Sequence, residues 1–278
     1  MSVGTDDPVA PPQPANRALI ELDLPGCGRA TLRRLDWDCE FFGFECGVIE
    51  GLEAAEESPD RKAAIVSLLR GVLRLAGQSD YRHVIFRPAL EDWDAVHAAE
   101  QAGLLLIDLG VDFVIELRDE PAALPSSIRR SRDEDLPSLR DLASSAFTYS
   151  RFGVDPAFTD EEVVAFHHQW VTNLHNGLAQ AVLVSEEAGA VAGFVSCSVS
   201  AGQGRIPLIA SGADHRGRGL GRALVEAARR WFWDAGIRVV RVKTQATNLP
   251  AVRLYERNGF VLARTELTFS IDLSQPSL

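Results

Sequence analysis

Two rhythms of apolar and polar positions run along the chain. Ile65, Leu68, Leu69, Val72, Leu73 and Leu75 recur at helical spacing after Ser58, Pro59 and Asp60, with Arg61, Lys62, Arg70 and Arg74 between them, which predicts an amphipathic helix. Ahead of it, residues 31–49 are dense in Trp, Phe and Val and punctuated by Gly43 and Gly47, so strands around a turn are expected there. Tyr81–Phe86 reads as a strand, 91–101 as a helix stopped by Gly103, and 104–117 as one or two strands.

Residues 118–127 (RDEPAALPSS) are charged, proline-bearing and poor in bulky apolar side chains, and a domain boundary is expected in this linker. Beyond it, 128–132 reads as a short strand and 133–146 as a helix with an acidic first turn. Thr159 and Glu162 have the spacing of a capping box for a helix ending near Gly177. Strand-like runs come next at 181–185, 191–199 and 205–211, then a long helix at 217–235, a strand at 238–244, a short helix at 250–258 stopped by Gly259, and a final strand at 260–273. The short connection after the first of these runs implies antiparallel pairing. No internal repeat is visible. The expected organisation is a disordered leader at 1–16, an α/β domain at 17–120 and a second α/β domain at 127–278.

With 278 residues, 46% of them hydrophobic and 24% charged, the chain has the composition of a folded, core-forming protein. The net charge of −11 disfavours nucleic acid and anionic membranes as partners. No apolar run approaches the roughly 20 residues needed to span a bilayer. The first fourteen residues have neither a basic start nor an apolar h-region, so a cytoplasmic protein is expected. Cys27, Cys39, Cys46 and Cys197 form no C-x-x-C pair and have no His at metal spacing, so free thiols and no metal are expected.

The most informative segment is an apolar strand (Leu208, Ile209, Ala210, Ser211) running into a basic glycine-rich turn that opens a helix: Arg216, Gly217, Arg218, Gly219, Leu220, Gly221, Arg222. The first turn of a helix leaves backbone N–H groups without partners, and the glycines let the main chain approach a ligand closely. With the helix dipole and three arginines, a phosphate or pyrophosphate is the natural guest. The spacing is neither a dinucleotide fingerprint nor a P-loop. It is Arg-x-x-Gly-x-Gly, followed by a strand and a segment bearing Asn248 and Tyr255.

In those two motifs and their order the chain resembles the GNAT superfamily of acyl-CoA-dependent N-acetyltransferases. The resemblance implies a GNAT fold with a mixed α/β sheet, preceded by a smaller, partial GNAT-like α/β domain. It also implies acetyl-CoA as co-substrate, held by Leu208 to Ser211, Arg216 to Arg222 and Asn248, and direct acetyl transfer to a primary amine. Tyr255 would be the general acid for the departing thiolate, because a phenol stays protonated at neutral pH. Its bland alternative is a ring packed on the sheet, and that of Asn248 is a plain helix cap.

A closer likeness is to the TDP-fucosamine N-acetyltransferase family, carried by Trp37 with Phe41, Phe42 and Gly43, by Ala146 to Phe152, and by Gln169 and Trp170. It implies a nucleotide-linked 4-amino-deoxysugar as acceptor, with Phe41, Phe42, Ser150, Arg151 and Phe152 as substrate-binding residues. The 151–169 stretch departs widely from that pattern. Arg151 could hold a phosphate or carboxylate bidentately and Phe152 cover a ring; the alternative is an arginine at a solvated helix end. Glu40, His167 and His168 are candidate bases, with packed or solvated histidines the competing reading, and His215 reads as a loop donor. Another small amine, an antibiotic or a peptide remains an alternative acceptor, and a non-catalytic acyl-CoA sensor is the alternative of another class. A homodimer is left open.

Overall fold

The computed structural model describes residues 19–56, 58–146, 149–215 and 217–274. The chain packs as two compact units, each built from separated stretches. Within the described residues, the N-terminal unit comprises 19–110, 154–158 and 265–274, and the C-terminal unit 111–153 and 159–264. The division at Gly110 and Val111 lies ahead of the expected linker, because Val111, Phe113 and Ile115 in the second half of that strand pack into the core of the C-terminal unit. The expected leader at 1–16 lies outside the described residues.

In the N-terminal unit, β1 (Leu19–Leu24) pairs antiparallel with β2 (Gly28–Arg34), and β2 antiparallel with β3 (Glu45–Ala54). The third strand pairs in parallel with β4 (Tyr81–Phe86), which takes the C-terminal end of the last strand of the chain on its other edge, Phe269 opposite Phe86. The helical stripe read from the sequence buries against this sheet: Ile65, Leu68, Leu69, Val72 and Leu73 of α2 (Arg61–Gln78) pack with Leu32, Ile49, Val84, Phe86 and Phe269. Asp60 caps α2 by accepting from the Ala63 N–H, and Asp92 does the same for α3 (Trp93–Gln101) through Ala95. The 31–49 stretch departs from expectation, because residues 36–42 form a helix, α1 (Asp36–Phe42), rather than a strand. Asp36 and Asp38 sit in its first turn, Trp37 stacks on Phe41 one turn later, and Gly43 closes it at φ 74°. For a short segment these local terms outweigh the β propensity of its aromatics.

In the C-terminal unit, the second half of β5 (Leu105–Glu116) lies beside β11 (Val239–Gln245), which pairs in parallel with β9 (Gln203–Ile206). Antiparallel pairing then runs from β9 to β8 (Ala190–Ser200), to β7 (Ala181–Glu187), to β6 (Ile128–Arg130). The 205–211 run, expected as one strand, is broken in two. Pro207 has no N–H to give, and the chain resumes as β10 (Ile209–Ser211), which pairs with β8. One face of this sheet carries α4 (Leu136–Ala146) and α6 (Asp160–Asn173), whose apolar residues pack with Val182, Val184, Phe194, Leu208 and Ala210. The other carries α7 (Leu220–Asp234) and α8 (Leu249–Arg257), around Val195, Ile206, Val240 and Val242. Between α4 and α6 lies the single turn α5 (Arg151–Val154), and the last strand is β12 (Val261–Asp272). The capping box at Thr159 and Glu162 is present, both bonds formed.

Candidate active site

The break between β9 and β10 sets up the site. At the break the Leu208 carbonyl keeps a backbone bond from the Ser196 N–H of β8 (2.8 Å), and the Ser196 hydroxyl accepts from the Leu208 N–H (2.8 Å) and donates to the same carbonyl (3.1 Å), so a side chain supplies the acceptor the ladder has lost. The pairing of β11 with β9 runs to Val242 opposite Ile206, whereas β10 turns to β8. Leu208, Ile209, Ala210 and Ser211 thus lie where two neighbouring strands part.

At the end of β10 the chain enters the glycine-rich turn. Gly217 and Gly219 stand at φ 76° and 84°, a conformation that costs an L side chain about 1–2 kcal/mol, and nothing lies within 4 Å of where their Cβ atoms would be. Gly219 is the N-cap of α7, and among the described residues no side chain caps that helix, whereas α2, α3, α6 and α8 each receive a side-chain oxygen. The first N–H groups of a 15-residue helix are therefore directed outward with the positive end of its dipole. Arg218 and Arg222 are exposed beside it, Arg222 bonded to Glu226 one turn on. Arg216 lies outside the described residues. This open, positive, backbone-lined turn fits a pyrophosphate.

Two glycines bring the pieces together. A Cβ on Gly193 would meet the Ala210 carbonyl at 2.8 Å and Leu220 at 3.2 Å, so β8, β10 and the start of α7 are in close contact. Gly221 faces Leu254 of α8, 3.3 Å from its Cβ position. The sequence pattern does not single out Gly193, Ser196 or Leu254; the one signal for the first two is a glycine and a serine inside an otherwise apolar strand.

Asn248 caps α8, its Oδ1 accepting from the Ala251 N–H and its Nδ2 donating to Thr244 Oγ1, so both ends of its amide are engaged. Tyr255 is buried in the same cluster as Ile206, Val242 and Leu220, its ring against Phe113 and Phe260. Burial raises its pKa above that of an ordinary phenol, so it is protonated at neutral pH.

The expected acceptor-side residues fall in separate units. In the C-terminal unit, the Arg151 guanidinium lies 4.0 Å over the Phe152 ring, Phe152 packs on Phe166, and Ser150 Oγ accepts from the Gly153 N–H. In the N-terminal unit, Phe41 stacks on Trp37 and Phe42 lies 4.5 Å from Phe158. Of the candidate bases, Glu40 is exposed. His167 is buried, with Nδ1 on the Val163 carbonyl, and burial pushes its pKa down to about 4. His168 bonds Ser144, and His215 Nδ1 pairs with Glu187 at 2.9 Å. Among the described residues no group of three His, Cys, Asp or Glu is placed to hold a metal, and no helix is long and apolar enough to cross a membrane.

Comparison with known proteins adds to this geometry. The model of the acetyltransferase (GNAT) family matches residues 136–260. Over 235 residues the chain is 28% identical to the dTDP-fucosamine acetyltransferase of Escherichia coli O6:H1, a match covering 83% of this chain and 93% of that protein. Among solved structures, a GCN5-related N-acetyltransferase from Sphaerobacter thermophilus superposes with a TM-score of 0.62 at 16% identity, over 90% of this chain and 78% of that one. A tandem GNAT protein from the clavulanic acid biosynthesis pathway gives 0.54 at 16%, over 90% and 80%. At these identities the structures establish the fold: a mixed α/β GNAT sheet, with an N-terminal α/β part resembling a tandem GNAT arrangement.

Proposed function

From the match of residues 136–260 to the acetyltransferase (GNAT) family, we propose that the chain is a GNAT acetyltransferase and that it transfers the acetyl group of acetyl-CoA to the 4-amino group of a nucleotide-linked deoxysugar in the cytoplasm. The observation that carries the acyl-CoA half is the uncapped N-terminus of α7, opened by Gly217 and Gly219 beside the parting of β10 from β11. The acceptor half is supported by the likeness to the dTDP-fucosamine enzyme, which runs through both units.

Acetyl-CoA supplies an activated acyl carbon. The turn from Gly217 to Arg222 holds its pyrophosphate through backbone N–H groups, with Arg216, Arg218 and Arg222 adding charge. The edge of β10, from Leu208 to Ser211, offers N–H and C=O groups to an extended arm, and Asn248 fixes the start of the helix that bears Tyr255. The acceptor nitrogen, entering as the free amine, forms its bond to the acyl carbon as the carbon–sulfur bond breaks; the Tyr255 hydroxyl gives its proton to the departing sulfur, and the proton the nitrogen sheds passes to solvent, from which the phenol is restored. Within the C-terminal unit, Ser150, Arg151 and Phe152 serve the acceptor.

Release of free CoA thiol from acetyl-CoA, measured with TDP-4-amino-4,6-dideoxygalactose, aminoglycosides and peptides in parallel, tests the reading. Turnover with the TDP sugar alone is expected. Turnover with another amine and none with the sugar would discard the acceptor. Tight acetyl-CoA binding without turnover on any amine would identify a sensor.

A further inference from the structure

Across the C-terminal unit's sheet, on the face opposite α7 and α8, runs a row of charged side chains that the acetyl transfer does not use. Ile206, Val240 and Val242 point into the α7 and α8 core, and a Cβ on Gly204 would strike Phe232 of α7. By the pleat, Arg205, Arg241 and Lys243 point the other way, to the face that carries α4 and α6. The register sets Ser198 of β8 opposite Arg205 of β9, and Arg205 opposite Arg241 of β11. The Arg241 guanidinium continues the row to Asp112 of β5, Nη1 at 3.2 Å, and its Nε donates to Gln203 Oε1 at 3.1 Å. Neither bond uses Nη2. The Ser198 hydroxyl is buried with no hydrogen-bond partner among the described residues.

Arg205, Arg241 and Lys243 all act electrostatically on Asp112, yet burial still raises the carboxyl above its ordinary pKa. The floor is therefore a place where charge is poorly solvated, and where an anion meeting several cations gains more than at an open surface. The three cations occupy two strands about 4.8 Å apart and, along β11, positions about 7 Å apart. That spread suits two linked phosphates better than one carboxylate. Arg205 and Arg241 stand beside the last paired residues of β9 and β11, and Lys243 just beyond, at the rim of the opening where β10 and β11 part.

We propose that Arg205, Arg241 and Lys243 bind the diphosphate of the acceptor, an anion site separate from the α7 turn. The inference rests on the nucleotide-linked reading of the acceptor. It brings the amine to the sheet face opposite the one against which Tyr255 is packed, so the entering nitrogen and the departing sulfur's proton donor are on different sides. Asp112, the carboxylate in the row, orients Arg241.

The test is titration of thymidine diphosphate into protein saturated with CoA, so that the α7 turn is already filled. Arg205→Gln, Lys243→Gln and the double variant Arg241→Gln with Asp112→Asn, which leaves no unpaired carboxylate, are each expected to weaken thymidine diphosphate binding about ten-fold or more, with CoA affinity within two-fold of wild type. Failure of thymidine diphosphate to bind the CoA-loaded wild type, or equal binding by folded variants, overturns the site. Acetylation of the TDP-amino sugar by the variants at the wild-type KM also overturns it while leaving the acceptor reading intact. Variant-sensitive thymidine diphosphate binding without acetylation of that sugar would keep the site and discard the amino-sugar reading.

Discussion

Tyr255 keeps only 3% of its surface exposed, and that burial raises its pKa, as the proposed role of general acid requires of a group that must hold its proton until negative charge develops beside it. Tyr255→Phe removes the proton and little packing, so a loss of about 100-fold or more in kcat is expected, with acetyl-CoA affinity nearly unchanged. Because burial raises the phenol, it stays protonated below its ordinary value of about 10, and the pH–rate profile should show no descending limb before that pH. A fall near pH 8, or a Phe variant of normal kcat, would remove Tyr255 from the role. His167 is displaced in the other sense. Its folded-state pKa of about 4 lies below an unfolded value of about 6.5, so its contribution to stability is full above pH 6.5 and is lost as pH falls toward 4. The difference amounts to about 3 kcal/mol, and chemical denaturation at pH 7 and pH 4.5 should show His167→Gln less pH-sensitive than the parent. Both positions are legible as candidates from their motifs. Their protonation states are not, since they follow from burial, which for Tyr255 depends on Phe113 from a distant strand as well as on Phe260.

At the scale of elements, the site depends on strands that fail to stay paired. Ser196 makes the break at Pro207 tolerable by serving both the N–H and the carbonyl of Leu208. Ser196→Ala strands a buried N–H, with an expected cost of about 1–3 kcal/mol and a weakened hold on acetyl-CoA; thermal unfolding and CoA titration check the two together. Ser196→Thr, which retains a hydroxyl, is the control. The stretch Val154 to Phe158 is held in the N-terminal unit by Asp155 on His83 (2.8 Å), the Arg82 guanidinium on the Ala157 carbonyl and Phe158 between Phe42 and His83. Burial works to raise the Asp155 carboxyl, but the His83 hydrogen bond and charge, with Ala157 and Ser270 as further donors, hold it below its ordinary range. Most elements keep to the apolar rhythm closely: Tyr81–Phe86 and the helices starting after Asp60 and Thr159 stand where the pattern puts them. The exceptions, α1 and the split at Pro207, are places where a short local term outweighs periodicity.

At the scale of the molecule, the chain does not divide at a single point. The last strand's Phe269 to Asp272 pair with His83 to Phe86, so the N-terminal unit is completed by residues nearly 200 positions away. A fragment ending in the 118–127 linker therefore lacks a strand, leaving one edge of β4 unpaired and Leu267 and Phe269 missing from its core. Expressed alone, residues 17–120 are expected to be insoluble or unfolded, and co-expression with 121–278 should rescue them; a monomeric, cooperatively folding fragment would contradict this.

What the sequence by itself determined is local: the helical stripe of α2, the caps at Asp60 and Thr159, the glycine-rich turn whose φ values only glycine takes easily, and the Asn248 and Tyr255 segment that points to the GNAT family. These depend on neighbours three or four residues away, and the chain carries that information openly. The tertiary structure alone decided which strands part, that Ser196 bridges Leu208, that Tyr255 is sealed among Phe113 and Phe260, and that Arg205, Arg241 and Asp112 form one row. Those contacts include pairs 129 positions apart or more, Arg241 with Asp112 and Tyr255 with Phe113, and their register depends on the burial of whole strand faces, which no local window contains.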